Sequence, residues 1–231
     1  KAVLMSVDDE TLCNTTVGGM YEPGISVLPS SLDYGYDKLK DATPYDVDQA
    51  KKILDEAGIV DSDGDGYREF NGDGKNIELS FLTYDSRCLK EFSEGTAANI
   101  EKIGIKVNVQ ETDGDTEWNK LTAGEYDLLS NNWLTVQVGD PIGYMENWYS
   151  KSKANYCSYK NEKYDKLYEE LLVETDQAKI KELVQEMQQI LVDDGAALIH
   201  GYYKGNICST KAVEGANVYT ADYYWISTAI K

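Results

Sequence analysis

Positive charge is scarce in this chain, and so are the residues from which most catalytic centres are built. Its 231 residues carry 22 Lys and Arg against 41 Asp and Glu, a formal net charge of -19. Such a surface repels a phosphate backbone, which excludes nucleic acid as a partner and disfavours anionic membranes. There is one histidine, His200, in an apolar pattern (Ala197-Leu198-Ile199-His200-Gly201-Tyr202). It reads as a base or metal ligand on one view and as a satisfied core histidine on the other. No apolar run approaches the roughly 20 residues that a membrane-spanning helix needs. Four cysteines (Cys13, Cys88, Cys157, Cys208) lie far apart, without the short paired spacing of zinc sites. Up to two disulfides, in three pairings, and buried thiols both stay open. Gly-x-Ser-x-Gly, a phosphate loop and His-Glu-x-x-His are all missing. Carboxylate pairs are inevitable among 41 acids, so a hydrolase working with cleft carboxylates stays as an alternative class.

What is present is the material of a real core, with 42% apolar residues. Lys1 to Val7 reads as the inside of an ordered element, as expected of a chain whose upstream part has been removed. Asp46, with Gln49 three residues on, opens a helix whose apolar face is Val47, Ala50, Ile53, Leu54 and Ala57, and Gly58 closes it. Residues 77–83 alternate as a strand. Leu89, Phe92, Thr96, Ile100 and Ile103 recur at helical spacing, and residues 105–109 alternate again. That order is a βαβ unit with parallel strands. A short helix over 115–123, a strand over 126–133 and a long loop over 134–160 follow. Two helices come next, one through Tyr164 to Leu171 and one from Thr175 or Asp176 to Leu191. A strand over 196–203 completes a single α/β unit, a mixed sheet with flanking helices.

The sharpest local motif is Asp61-Ser62-Asp63-Gly64-Asp65-Gly66-Tyr67-Arg68-Glu69. Oxygen ligands at positions 1, 3 and 5, glycine at 6 and the Tyr67 carbonyl at 7 fit the first half of a calcium loop. Gly72 stands where the bidentate glutamate of position 12 belongs, leaving Glu69 or Asp73 as substitutes. The competing reading is an Asp/Gly turn joining a helix to a strand. Calcium is the one cofactor this sequence suggests, and a calcium-stabilised surface module is a third functional class.

Aromatics are plentiful, with 18 Tyr and 4 Trp, and many fall between Trp133 and Tyr159. Rigid amphipathic rings suit ligand clefts, and equally a core or a solvated surface. Trp133, at the end of a strand and the start of a long loop, is the first cleft candidate, with Gln137, Asp140 and Tyr144 beyond it.

Several segments in order resemble one family. Lys1 through Val7-Asp8-Asp9-Glu10-Thr11-Leu12 resembles the "K-A-…-A-I-D-R-E-…-L" segment of family 5 solute-binding proteins, which serve oligopeptide, dipeptide and nickel importers of the ABC type. Tyr45 to Gly58 is similar to that family's "Y-D-x-x-x-A-K-x-L-L-x-E-A-G". Ile103-Gly104-Ile105-Lys106-Val107, Tyr126-Asp127 leading to Trp133, and Asn155-Tyr156 follow in the family's order. The resemblance implies a periplasmic-binding-protein type II-like fold that encloses its ligand between two lobes. Residues 1–231 correspond to the second, C-terminal lobe, with 217–231 as a C-terminal return segment and the first lobe outside the chain. It further implies a non-enzymatic, monomeric protein outside the cytoplasm, a membrane-anchored lipoprotein or periplasmic. Its partners are a small-molecule or peptide ligand and the importer's membrane subunits. Two departures bear on the ligand. Peptide-binding members commonly carry Asp three residues after the matched Trp, where Val136 stands here; nickel-binding members have His where Ile142 stands. Asp140 is the nearest carboxylate for either role.

Overall fold

The computed structural model describes residues 1–70, 74–136, 140–206, 208 and 210–213. The chain opens with α1 (Ala2–Ser6), α2 (Asp9–Thr11) and a π-turn over Leu12–Thr16, then β1 (Tyr21–Pro23). Next come α3 (Val47–Glu56), β2 (Glu78–Tyr84), α4 (Leu89–Glu101), β3 (Lys106–Thr112), α5 (Gly114–Ala123) and β4 (Leu128–Leu129). It finishes with α6 (Ile142–Met145), α7 (Glu162–Leu171), α8 (Gln177–Asp194) and β5 (Gly201–Tyr203). The C-terminal segment 217–231 lies outside the described residues.

Helix boundaries follow capping chemistry. The Asp46 carboxylate accepts from the Gln49 N–H at 2.8 Å to start α3, and Asp113, Asn161 and Asp176 do the same for α5, α7 and α8. Each satisfies backbone donors that the first turn would leave unpaired. Helix α4 tolerates Gly95 because it packs tightly: a Cβ there would meet Leu12 Cδ2 at 2.4 Å.

Strand β2 is central. It pairs in parallel with β3, from Glu78↔Lys106 to Tyr84↔Thr112, and in parallel with β4 through Phe81↔Leu128 and Leu82↔Leu129. The expected βαβ unit is therefore β2-α4-β3. A second, two-stranded sheet joins the ends of the chain: β1 and β5 are antiparallel, with Tyr21 opposite Tyr203.

The apolar interior divides in two. One cluster joins the N-terminal helices to α3, β2 and α4, with Leu12, Cys13, Phe81, Phe92, Ile100 and Ile103 at its heart. The other lies around α7 and α8, with Val27, Leu28, Met145, Trp148, Tyr164, Leu183 and Met187. Gln188 is fully buried in it with both ends satisfied, accepting from Ser26 Oγ at 3.0 Å and donating to the Tyr34 carbonyl at 2.9 Å.

Three sequence expectations change. The strand expected over 126–133 shrinks to Leu128–Leu129. The Asp127 carboxylate accepts from both the N–H and the hydroxyl of Ser80 at 2.8 Å, taking a ladder position with a side chain. The strand expected over 196–203 keeps residues 201–203. Before it, Leu198 packs on the first cluster while Ala197 and Ile199 pack on the second, so the alternation records two cores rather than a sheet. The loop over 134–160 contains α6 and a 3-10 turn at Glu146–Trp148, which seat Met145 and Trp148 in the second core.

All four cysteines are free thiols. Cys13 is buried and Cys88 half-buried, and Cys157 and Cys208 are exposed. The Cys13 thiol donates to the His200 carbonyl at 3.1 Å, and burial pushes its pKa up to about 12.

Ile100 is fully buried between α4 and the sheet. Ile100→Ala is expected to lower unfolding stability by about 2–5 kcal/mol, measured by urea unfolding, with the cavity adding to the lost transfer energy.

Candidate functional site

Because β2, β3 and β4 run parallel, their carboxyl ends share one edge, the place where open α/β sheets bind ligands. Beyond β2 the chain turns through Arg87 (φ 47°) and Cys88 (φ 63°), two successive non-glycine residues in the left-handed region. Such a turn costs energy and persists where its surroundings hold it. The Tyr21 hydroxyl donates to the Arg87 carbonyl at 2.6 Å, and the Arg87 guanidinium lies 5.8 Å over the Tyr203 ring.

Beyond β4 lies an aromatic corner. Tyr156 stands between Trp118 of α5, with centroids 5.7 Å apart and planes at 71°, and Trp133, 6.4 Å away at 53°. Trp118 is 46% exposed and Trp133 39%, an unusual exposure for the largest apolar side chain. The Tyr126 hydroxyl donates to the Tyr156 carbonyl at 2.8 Å and fixes that ring's backbone. Behind the rings Glu117 is 3% exposed, facing the Asn131 amide at 3.5 Å. The neighbouring Asn132 Nδ2 is buried without a hydrogen-bond partner among the described residues.

Of the residues expected to line a cleft, Trp133 stands in this corner. Tyr144 packs edge-on against Trp148 in the second core, 5.3 Å away, where burial raises its hydroxyl pKa. The Asp140 carboxylate accepts from the Ile142 N–H at 2.9 Å and so opens α6. Gln137 lies outside the described residues. Glu117, Trp118 and the strained Arg87 turn were missed. The adjacent pair Glu117-Trp118 was the available signal, a carboxylate beside a large ring on a short helix.

His200 is tied up structurally. Its Nδ1 lies 2.6 Å from Asp9 Oδ1, its ring stacks on Phe92 at 4.8 Å, and Nε2 lies 3.3 Å from Thr96 Oγ1. Burial holds the Asp9 carboxyl above the usual range, with the His200 hydrogen bond opposing. The satisfied-core reading of this histidine is the one the geometry fits.

In the acidic loop, the Asp61, Asp63 and Asp65 carboxylates are exposed and come within 4.8 Å of one another. Asp61 accepts from the Gly64 and Gly66 amides at 2.7 and 2.9 Å. Asp63 accepts from Asp65 N at 3.1 Å, and Asp65 from Tyr67 N at 2.8 Å and Asn76 Nδ2 at 2.7 Å. The Asn76 bond, with help from the Tyr67 amide, holds the Asp65 carboxyl below the usual range. Glu69 is fully buried; its Oε2 accepts from the Ser62 N–H and hydroxyl, both at 2.9 Å, and its Oε1 has no hydrogen-bond partner among the described residues. Asp73 and Gly72 lie outside the described residues.

Burial raises the Glu117 carboxyl pKa. Its favourable contribution is therefore complete below the unfolded carboxyl range and lost as pH rises through the folded value. Glu117→Gln is expected to flatten that decline, so that its melting temperature gains on wild type between about pH 4 and 7, measured by pH-dependent thermal unfolding.

Comparison with known proteins agrees with this fold. Residues 1–156 match the family model described as bacterial extracellular solute-binding proteins, family 5 Middle. The oligopeptide-binding protein AppA of Bacillus subtilis is 23% identical over 243 residues, covering 98% of this chain and 43% of AppA. Its structure in complex with a nonapeptide superposes with a TM-score of 0.78 at 22% identity, over 87% of this chain and 40% of that one. A mannohexaose-bound periplasmic oligopeptide-binding protein of Thermotoga maritima gives 0.75 at 26% identity, over 88% and 40%. NikA of Brucella suis in complex with Fe(III)-EDTA gives 0.74 at 21%, over 87% and 41%. The chain thus spans about two fifths of these relatives, with the mixed α/β architecture of the periplasmic binding fold. This chain belongs to the family 5 bacterial extracellular solute-binding proteins, a family of binding proteins rather than enzymes.

Proposed function

We propose that this chain supplies one wall of a solute-binding cleft, whose ligand is handed to the membrane subunits of an ABC importer. The observation that carries this reading is the exposed corner of Trp118, Trp133 and Tyr156, set beyond the carboxyl edge of a parallel sheet. Large rings left open there give a ligand apolar area at little entropic cost, and the amides of Asn131 and Asn132 add polar groups nearby. Family membership supports it and removes the ground for the hydrolase alternative. The protein works as a monomer outside the cytoplasm, as a membrane-anchored lipoprotein or free in a periplasm.

The relatives hold a nonapeptide, mannohexaose and a ferric chelate, so the fold takes chemically diverse solutes. For this chain the candidates are a peptide, a nickel complex or another small polar solute. Val136 offers no carboxylate to a peptide ammonium, which would be costly to enclose unpaired. Asp140 is already committed to the start of α6 by one oxygen. A cleft with one wall binds weakly, because ordering and desolvation costs are offset by fewer contacts.

The test follows the tryptophan indole N–H resonances while the chain is titrated with a nonapeptide, mannohexaose and a ferric chelate. At least one of these is expected to move the Trp118 and Trp133 signals and leave buried Trp148 in place. Trp133→Ala is expected to weaken that binding about tenfold. Shifts confined to Trp148, or none with any of the three, would overturn the reading.

A further inference from the structure

The segment that carries Trp133 is bare of charge in a chain that is otherwise full of it. Residues 128–139 include no Asp, Glu, Lys or Arg, whereas 27% of the whole chain is charged. Residues 154–159, around Tyr156, include none either. What the first segment offers beside its indole is Asn131, Asn132 and Thr135, two amides and a hydroxyl that both donate and accept.

The carboxylates at the borders are engaged. Asp127 accepts from the Ser80 N–H and hydroxyl, and Asp140 from the Ile142 N–H. Glu117, behind the rings, is 3% exposed, and burial pushes its carboxyl towards the neutral acid. Among the described residues, the cations that lie over a ring are elsewhere, Arg87 over Tyr203 and Lys151 over Tyr149. The rings themselves pack directly: Tyr156 is 5.7 Å from Trp118 and 6.4 Å from Trp133, centroid to centroid. Neighbours this close leave no gap for the ammonium of an aromatic cage. The three form one bent strip, with both indoles part open to solvent.

We propose that this strip is a stacking platform for a neutral carbohydrate chain, whose sugar rings lie on Trp118, Tyr156 and Trp133 and whose hydroxyls meet the amides of Asn131 and Asn132. The proposal rests on the cleft reading above and names its ligand class. A sugar ring has apolar C–H faces, which suit the negative face of an aromatic ring, and a rim of hydroxyls, which suits side chains that both donate and accept. A peptide terminus or a charged chelate would exchange water here for neutral groups alone, a cost that a neutral ligand does not carry.

The experiment titrates the 231-residue chain with neutral hexasaccharides (mannohexaose, maltohexaose and cellohexaose), a nonapeptide and a ferric chelate, all at millimolar concentration, and follows the indole N–H resonances. At least one hexasaccharide is expected to move the Trp118 and Trp133 signals, with an affinity that changes less than about twofold between low and roughly 0.5 M salt, because no charge is paired. Trp118→Ala should weaken that binding about tenfold and Trp118→Phe less, while an unmoved Trp148 signal reports an intact fold. A nonapeptide or ferric chelate that binds as well as the best hexasaccharide, or better, would overturn the carbohydrate assignment and leave the cleft reading standing. So would hexasaccharide binding that falls about tenfold with salt. Silence of both indoles with every ligand would overturn the cleft reading, and the assignment with it.

Discussion

The parallel pairing of β2 on both of its edges is the constraint on which the rest of this molecule depends. A strand with two parallel neighbours must be covered on both faces, and Phe81, Leu82 and Thr83 are buried accordingly. Parallel connection demands a crossover, which α4 provides, and it sends three strand ends to one edge. The strained turn at Arg87-Cys88 and the aromatic corner at Trp133 lie where those ends are released. The surface proposed to face a solute is thus a by-product of strand direction, furnished afterwards by loops.

Legibility in the sequence tracked how local each cause is. Asp46 and Asp176 announce their helices because a cap acts within three residues, and βα periodicity repeats within one turn or one pleat. Strand β1 went unseen because its partner, β5, lies at the far end of the chain. The alternation over 196–200 misled because a segment threaded between two cores alternates as a sheet strand does. At the site, Trp133 was readable from its place after a strand. Its partnership with Trp118 and Tyr156 was not, since three separate segments meet there. The acidic loop was plain, but the full burial of Glu69 depends on tertiary packing that spacing does not reveal.

The acid excess has a local explanation. Many aspartates serve as backbone acceptors: Asp8, Asp46, Asp113 and Asp176 at helix starts, Asp127 at a strand edge, and Asp61 within its own loop. The ion pairs are mostly exposed, such as Lys52–Glu56 at 3.8 Å and Lys151–Glu169 at 2.6 Å, and contribute little each. The negative charge is therefore better understood as a set of backbone caps than as a network that holds the fold.

The buried Cys13 thiol has a consequence for how the molecule ages. A thiol shut away from solvent, with its ionisation pushed up to about 12, presents almost no thiolate to peroxide or to a passing disulfide. The first core thus carries a sulfur atom as inert filling, and its maturation waits on no oxidant. Solvent meets sulfur instead at the exposed Cys157 and Cys208, away from that core.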